Sequence, residues 1–536
     1  MQAAKIVNKF LESKTFLLCR TFRTGTRAKA LASAELQAED LKTSYERARP
    51  FESIPGPKAL PIPRIGNIWR MLPFGTYGNM DIIDLHKLLY ETYGPIVKFT
   101  GVGYFDQVIF FEPGHAEKMF RNESMWPNRF PLHSLKYYRT KVRKDFYEGQ
   151  EGLITTNGAE WRSFRTITNP VLLNPTNVKI YLDSVVAVCD DFIERIRYIR
   201  RPDNEMPADF IDEINKLSLE TFSFMTLDKR LGCLANDLAE DSEPMLMIKN
   251  VREAMALMFY LDVRPSLWRI YPTKKWKTFV KCMDYIVEYT NKQIMEKWEK
   301  IQNETDDGEN ENRNILESLL LRTKNPRIPI VMTSDILFAA IDTTSTTMAT
   351  TLYYLTTNPD KQEKLFQELK KLLPKKDSPI TGEILNELKY TRAVIKEAMR
   401  LMPTTALNQR TAEKDLVFDN YQIPKGTVMV SSHVIMCRME EHFKRANEFL
   451  PERWLKTETN SDVSYKNAHP FAYLPFGFGQ RSCIGKRFAY MEMDVAISKV
   501  IRNFKVTYDH EPMTWQSKLI TSPSKPLKFK MTERPE

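Results

Sequence analysis

Residues 476–485 read Phe476-Gly477-Phe478-Gly479-Gln480-Arg481-Ser482-Cys483-Ile484-Gly485, a lone thiol in a glycine-punctuated loop that leads into a helix-like run, Lys486 to Arg502. A thiol so placed has several backbone N–H groups and a helix N-terminus close to its sulfur. Both favour the thiolate and equip the loop to bind it as an anion. Gly477, Gly479 and Gly485 let the chain pass close beneath a flat ligand where a Cβ would collide. For any single cysteine the competing reading is a buried structural residue beside a turn.

Other residues of chemical interest fall at helical spacing. Ala339-Ala340-Ile341-Asp342-Thr343-Thr344 sets a carboxylate beside a hydroxyl in an apolar helix, an expensive pair to bury without a task. A threonine there can bond back to the carbonyl one turn earlier and open the helix locally. Glu397-Ala398-Met399-Arg400 places carboxylate and guanidinium one turn apart on one face. Trp161 and Arg165 stand at i and i+4, and downstream lies Phe449-Leu450-Pro451-Glu452-Arg453-Trp454.

Taken together, these motifs resemble the cytochrome P450 superfamily. The cysteine loop is similar to its haem-binding signature, Phe-x-x-Gly-x-Arg-x-Cys-x-Gly, at every fixed position, and the four further motifs occur in the family's order over about residues 161–487. Ile54-Pro55-Gly56-Pro57 extends the likeness to nearly all of the chain beyond the first ~45 residues. The resemblance implies haem b (iron protoporphyrin IX) with Cys483 as axial ligand of the iron, Phe476 near the sulfur, and Arg481, Trp161, Arg165 and Arg410 at the propionates. A thiolate bound to haem iron pushes electron density toward dioxygen and promotes O–O cleavage. By the same resemblance Asp342 relays protons and Thr343 hydrogen-bonds the oxygen being activated. Ala340 replaces the family's usual glycine and brings a methyl to the place where oxygen should sit. Arg453 would complete a buried triad with Glu397 and Arg400 whose task is folding and haem retention.

The elements that must position these residues are mostly helical. A length of 536 residues ordinarily suggests two or three domains, yet no Pro/Gly/Ser-rich linker or internal repeat divides the chain. The resemblance implies one P450-type domain over 46–536, mainly α, with a small sheet-rich lobe. Asp81 to Tyr93 has helical spacing, and Pro95–Thr100 and Gln107–Phe111 read as a hairpin. The period is helical from about 178 to 300, broken near Pro265 and Pro272; 303–314 is an acidic surface loop. A long helix is expected from Ser334 toward Asn358, ended by Pro359; it is threonine-rich, hence a buried helix rather than a membrane span. Helices at about 360–373 and 383–401 and short strands near 416–431 follow.

Charge and cysteine usage narrow the function further. The net charge of +10 permits nucleic acid, an anionic membrane or an acidic protein as partner. No nucleic-acid-binding motif accompanies it, which disfavours the first. Six scattered cysteines without a C-x-x-C pair argue against a zinc site or disulfide framework. No Walker loop or G-x-G-x-x-G opens a helix, so electrons must come from outside. Residues 1–34 carry Lys5, Lys9, Lys14, Arg20, Arg23, Arg27 and Lys29 against one acid, Glu12, and lack the ~20 apolar residues of a spanning helix. This reads as a mitochondrial transit peptide within a leader over 1–45, the mature start falling between 20 and 50.

The resemblance then implies the family's mitochondrial class, most similar in the 480–487 block and the leader to its insect branch. Expected partners are an adrenodoxin-like [2Fe–2S] ferredoxin and its NADPH-dependent reductase, docking at Arg392, Lys396, Lys486 and Arg487. Met255–Tyr260 with Trp268, Trp276 and neighbouring cations is read either as a surface dipping into the matrix side of the inner membrane or as ordinary core. The expected activity is hydroxylation of a lipophilic small molecule, steroid-like or xenobiotic. The alternatives are an electron-independent haem-thiolate isomerase or dehydratase, and a non-catalytic haem carrier or gas sensor.

Overall fold

The structure, a computed structural model, describes residues 42–536 apart from 61–65, 103–104, 131, 304–313 and 457–461. The basic leader and the acidic loop expected over 303–314 therefore lie almost entirely outside the described residues. The chain groups into two compact units: residues 55–411 with 428–536, and, within the described chain, residues 42–54 with 412–427.

The strands of the sheet and the hairpin are β1 (Ile96–Val102), β2 (Phe105–Phe110), β3 (Asn408–Thr411), β4 (Leu416–Phe418), β5 (Tyr421–Ile423) and β6 (Val428–Ser431). In the smaller unit, β4 and β5 pair antiparallel through a two-residue turn in which Asp419 (φ 47°) and Asn420 (φ 61°) are both left-handed. Asp and Asn tolerate that conformation best among non-glycine residues, and the right-handed twist of a tight hairpin demands it. The Gln422 N–H donates to the Arg49 carbonyl at 2.9 Å, and the Arg49 guanidinium lies 3.8 Å over the Tyr421 ring.

In the larger unit, β1, β2, β6 and β3 form a sheet in that order, with β2–β6 parallel and the other two pairings antiparallel. The longer helices are α1 (Ile82–Tyr93), α2 (Gly158–Leu172), α3 (Leu182–Ile199), α4 (Phe210–Leu227), α5 (Glu243–Met258), α6 (Lys274–Asn303), α7 (Arg327–Thr357), α8 (Pro359–Leu372), α9 (Lys389–Leu401) and α10 (Lys486–Asn503). The fold is thus mainly α with small sheet regions. One continuous hydrophobic core runs through α2–α10, and α7 lies at its centre against α4, α6, α9 and α10.

The Asp81 side chain caps α1 by accepting the Asp84 N–H at 2.9 Å. α7 starts at Arg327, seven residues before the expected Ser334. Pro329 falls in its first turn, where a missing N–H costs nothing. α7 is long and apolar enough to cross a membrane, yet 72% of its most apolar window is buried inside the fold. That is the buried helix its threonines imply. The expected helical stretch 178–300 is interrupted at 200–209 and 228–242, and the 383–401 helix divides at Leu388. Short strands at Phe504–Thr507, Trp515–Ser517, Thr521–Pro523 and Lys530–Glu533 had no counterpart in the sequence reading.

Candidate active site

The cysteine loop folds on its own backbone. The Cys483 N–H donates to the Phe476 carbonyl at 2.9 Å, Ser482 to Gly479 at 3.1 Å, and Gly477 to Leu474 at 3.0 Å. Gly477 (φ 69°) and Gly479 (φ 74°) are left-handed, which explains two of the three glycines. At Gly479 an added Cβ would also stand 2.1 Å from Oε1 of Glu123. Gly485 is different: its φ is −86°, and a Cβ there would meet only the Cys483 sulfur at 4.0 Å. Its N–H donates to that sulfur immediately before α10 begins.

Cys483 opens onto a cavity of ≈ 450 Å³ bounded by Phe476, Arg481, Arg410, Arg129 and, on α7, Ala339, Thr343 and Thr344. Its thiol is accessible from that cavity while protein surrounds it. The Gly485 N–H of the loop does favour the thiolate, as expected, but burial outweighs it. Burial, the largest influence, raises the thiol pKa, against the Gly485 N–H and the cations Arg165, Arg129 and Lys486.

On α7 the Thr343 hydroxyl faces this cavity and donates to the Ala339 carbonyl at 2.9 Å, with Ala340 O at 3.3 Å. The helix is continuous through this point, so no local opening accompanies the bond. Residues 339 and 343 share a face, and Ala339 is the alanine bordering the cavity. Ala340 turns away and packs on the core, so its methyl does not occupy the position expected from the sequence. Asp342 also lies outside the cavity wall. Its carboxyl is pushed up to about 6 by burial, with Arg252 lowering it and Asp212 raising it. Arg252 on α5 and Asp212 on α4 form an ion pair that is partly open to solvent.

Three guanidinium groups, Arg481, Arg410 and Arg129, rim the cavity, and a fourth, Arg165, stands behind the loop. Arg481 donates to the carbonyls of Pro127 and Thr156, both at 2.6 Å, and to Asn157 Oδ1 at 2.9 Å; its charge lies 4.4 Å over the Trp161 ring. Arg129 donates to the Arg481 carbonyl at 2.6 Å and Arg165 to the Ser482 carbonyl at 3.0 Å. Arg410 pairs with Glu123 at 2.5 Å and reaches the Phe478 carbonyl at 3.1 Å. Trp161 and Arg165 thus support the loop from behind rather than lining the cavity. Burial first, and then one another's charge, depress Arg129 to about 10 and Arg481 to about 9. Glu123 is the carboxylate among them, and Arg481 Nη1, Arg129 Nε and Arg165 Nε are buried without a partner. So many buried cations with unused donors call for an anionic ligand. The two propionates of haem, with its iron beside Cys483, fit this donor set.

Behind the loop, Glu397, Arg400 and Arg453 are each 0% exposed. Glu397 Oε1 accepts from Arg400 at 2.8 Å, Arg453 at 2.9 Å and the Leu450 N–H at 3.0 Å; Oε2 accepts from Arg400 at 2.9 Å and Trp454 at 2.8 Å. Arg400 and Arg453 spend their remaining donors on backbone carbonyls, among them Cys437, Ala446, Lys444 and Val463.

The four expected docking cations are not equivalent. Arg392 is committed to the buried Asp494 at 2.8 Å. Lys396, half-buried, and Lys486, exposed, border one surface hollow with Trp454, Tyr473 and Phe476. Burial, Arg392 and Lys486 together lower the Lys396 ammonium. Arg487 is exposed. Of the expected apolar surface, Met258, Phe259, Trp268 and Trp276 are instead core, the two indoles stacked at 4.5 Å.

Sequence reasoning missed Arg129, Asn157 and Glu123, which lie in or beside loops without a periodic signal; only the fold brings them to the cysteine loop. It also missed the buried pair Arg139–Asp335 at 2.5 Å, in which Asp335, one turn before Ala339, also accepts the Leu153 N–H at 3.0 Å. An aspartate on the apolar α7 was the available signal.

The cytochrome P450 family profile matches residues 55–531. The chain is 38% identical over 509 residues to cytochrome P450 CYP12A2 of Musca domestica, covering 92% of each chain. It is 35% identical to the probable mitochondrial cytochrome P450 301a1 of Drosophila melanogaster, over 91% of this chain and 88% of that one. To the probable mitochondrial cytochrome P450 12e1 of the same fly it is 34% identical, over 99% and 98%.

Proposed function

The chain belongs to the cytochrome P450 family and is therefore a haem-dependent monooxygenase; from that premise we propose that it hydroxylates a lipophilic small molecule in mitochondria with electrons from a [2Fe–2S] ferredoxin. The observation that carries the reading is the cavity bounded on one side by the Cys483 thiol and on another by the Thr343 hydroxyl, within a collar of buried arginines.

In this reading Cys483 Sγ would ligate the iron of haem b, Arg129, Arg410 and Arg481 would balance the propionates, and Arg165 would hold the loop through the Ser482 carbonyl. When bound, haem supplies dioxygen activation and insertion of one oxygen atom into the substrate. Phe476 covers the sulfur, and the Glu397–Arg400–Arg453 triad fixes the segments behind the loop. Asp342, whose carboxyl burial pushes up to about 6, takes up a proton on the side of the solvent-open Arg252–Asp212 pair. It passes that proton toward the Thr343 hydroxyl, which presents it to the cavity. The Thr343 bond to the Ala339 carbonyl orients that hydroxyl.

Electron delivery is proposed at the hollow carrying Lys396 and Lys486, with Arg487 beside it, because an acidic ferredoxin meets complementary charge there. Arg392, paired with Asp494, orders this face more than it contacts a partner. Mitochondrial placement is supported by the names of the fly relatives and by the basic leader, which lies mostly outside the described residues. Attachment to the inner membrane is proposed at Phe74 (86% exposed), Leu267, Ile270 (87%) and Tyr271, flanked by exposed Arg269, Lys274, Lys275 and Lys277. Arg264 ties the two loops together by donating to the Gly78 carbonyl at 2.8 Å and the Met80 carbonyl at 2.7 Å.

The test is reconstitution of purified holoprotein with an acidic [2Fe–2S] ferredoxin, its reductase and NADPH under isotopically labelled dioxygen. One labelled oxygen in a hydroxylated product supports the reading. Lys486→Glu should raise the apparent KM for ferredoxin and leave the haem spectrum unchanged; product formation without ferredoxin, or without label, would overturn it.

A further inference from the structure

A second cavity, of ≈ 180 Å³, shares Thr405, Leu407 and Gln409 with the Cys483 cavity, so the two adjoin along the approach to β3. Its wall is largely apolar, with Met80, Phe99, Phe130 and Phe259 among its side chains. Besides Thr405, Gln409 and Lys518 at its edge, the polar groups of this wall are largely spent. Asp81 is occupied by the N–H groups of Asp84 and Ser517, at 2.9 and 2.8 Å, and Asp262 by the N–H and hydroxyl of Ser134, at 2.9 and 2.6 Å. Arg264 is spent on backbone carbonyls.

His86, on α1, is the exception. It is 6% exposed, and its ring forms part of this wall but not of the Cys483 cavity. Nδ1 lies 2.8 Å from the Ser432 hydroxyl, and the Phe111 ring meets the imidazole edge-on with centroids 5.9 Å apart. These contacts fix the ring, and Nε2 has no partner among the described residues. Burial holds the imidazole at about 4, so at neutral pH it is uncharged with one N–H. Such a group suits a neutral oxygen, a hydroxyl or a carbonyl, and not a carboxylate.

We propose that His86 Nε2 is a specificity-determining anchor for a neutral oxygen on an otherwise hydrocarbon substrate, which reaches past the shared wall toward Cys483. The natural substrate would then be a lipophilic alcohol or ketone of elongated shape, rather than a plain hydrocarbon. This rests on the monooxygenase reading above. His86 is a positioning residue and does not touch the reacting atoms.

The experiment titrates purified holoprotein with matched ligands and follows the ligand-induced shift of the haem spectrum. Androstanol, androstanone and androstane form one set, farnesol and farnesene another. In wild type the oxygenated members should bind about 5- to 10-fold more tightly than their hydrocarbons, the scale of one neutral hydrogen bond. His86→Phe should abolish that ratio while hydrocarbon affinity holds, and His86→Gln should restore part of it. An unaltered carbon monoxide spectrum in both variants checks that the haem site is intact. A wild type without preference, or an H86F that retains it, overturns the proposal. Absence of any haem-thiolate spectrum in wild type would instead strike the reading on which it rests.

Discussion

Glu397→Gln should severely destabilise this protein although it changes one atom far from the chemistry. The Glu397 carboxylate accepts five hydrogen bonds, three on Oε1 and two on Oε2. An amide must turn its NH2 toward donors whichever way it flips. The better orientation keeps the three bonds to the oxygen and loses those from Arg400 Nε and Trp454 Nε1. Two guanidinium groups with no exposure are then left without their anion. Hydrogen bonds to charged groups are worth about 1.5–3 kcal/mol each. Removing one partner from a buried ion pair costs about 3–5 kcal/mol. Two such bonds give about 3–6 kcal/mol and the broken pair about 3–5 kcal/mol, against a total stability on the order of 5–15 kcal/mol. The assay is urea denaturation followed by tryptophan fluorescence, with haem occupancy measured alongside. The midpoint should fall by on the order of 1 M or more, and much of the purified protein should lack haem. The fraction retaining haem should turn over normally, since the triad does not touch substrate. As a control, Glu387→Gln removes an exposed carboxylate paired with Lys389 at 2.8 Å and should leave the midpoint unmoved. Equal midpoints for the two variants would refute the reasoning.

Three further outcomes follow from the site. Thr343→Ala removes the hydroxyl that faces the cavity; reductant consumption should persist while product falls and peroxide accumulates, and unchanged coupling would exclude the assigned role. Asp342 is held at about 6, above the ordinary aspartate value of 3.8. The folded state therefore binds its proton more tightly than the unfolded chain does. That contribution to stability is complete below about pH 4 and is lost as pH rises through about 6. Asp342→Asn should flatten this part of the stability-against-pH curve and gain up to about 3 kcal/mol well above pH 6, while lowering turnover; an unaltered slope would show the carboxyl to be solvated. Gly479→Ala puts a Cβ at a left-handed loop residue against Glu123 Oε1; the strained cysteine loop should hold haem less well, whereas Gly485→Ala, with its Cβ 4.0 Å from the sulfur, should be tolerated better. Equal retention in the two would contradict the structural distinction between these glycines.

What the sequence made legible were residues whose spacing is itself the geometry. The cysteine loop is one uninterrupted decapeptide, Glu397 and Arg400 are one helical turn apart, and Arg453 lies in a short recognisable segment. What it hid depends on direction or on distant contacts. Ala339 and Ala340 are neighbours in sequence, but the α-helix turns them to different faces, and the cavity meets Ala339. Asp342 and Thr343 are separated in the same way. Arg129 and Glu123 sit in irregular chain, where no period announces a partner, and reach Arg481 and Arg410 only through tertiary folding. The short strands after Asn503 fall below the length at which alternation can be read. The raised thiol of Cys483 reflects its burial by surrounding protein, which no local motif encodes.

The account stands on Cys483 Sγ ligating haem iron, and the carbon monoxide spectrum of the reduced holoprotein tests this most directly. The wild type should show the long-wavelength Soret band that thiolate ligation produces. Cys483→His should lose that band even when its haem is retained. A wild-type preparation with full haem occupancy that lacks the band, or a Cys483→His variant that keeps it, would contradict the account.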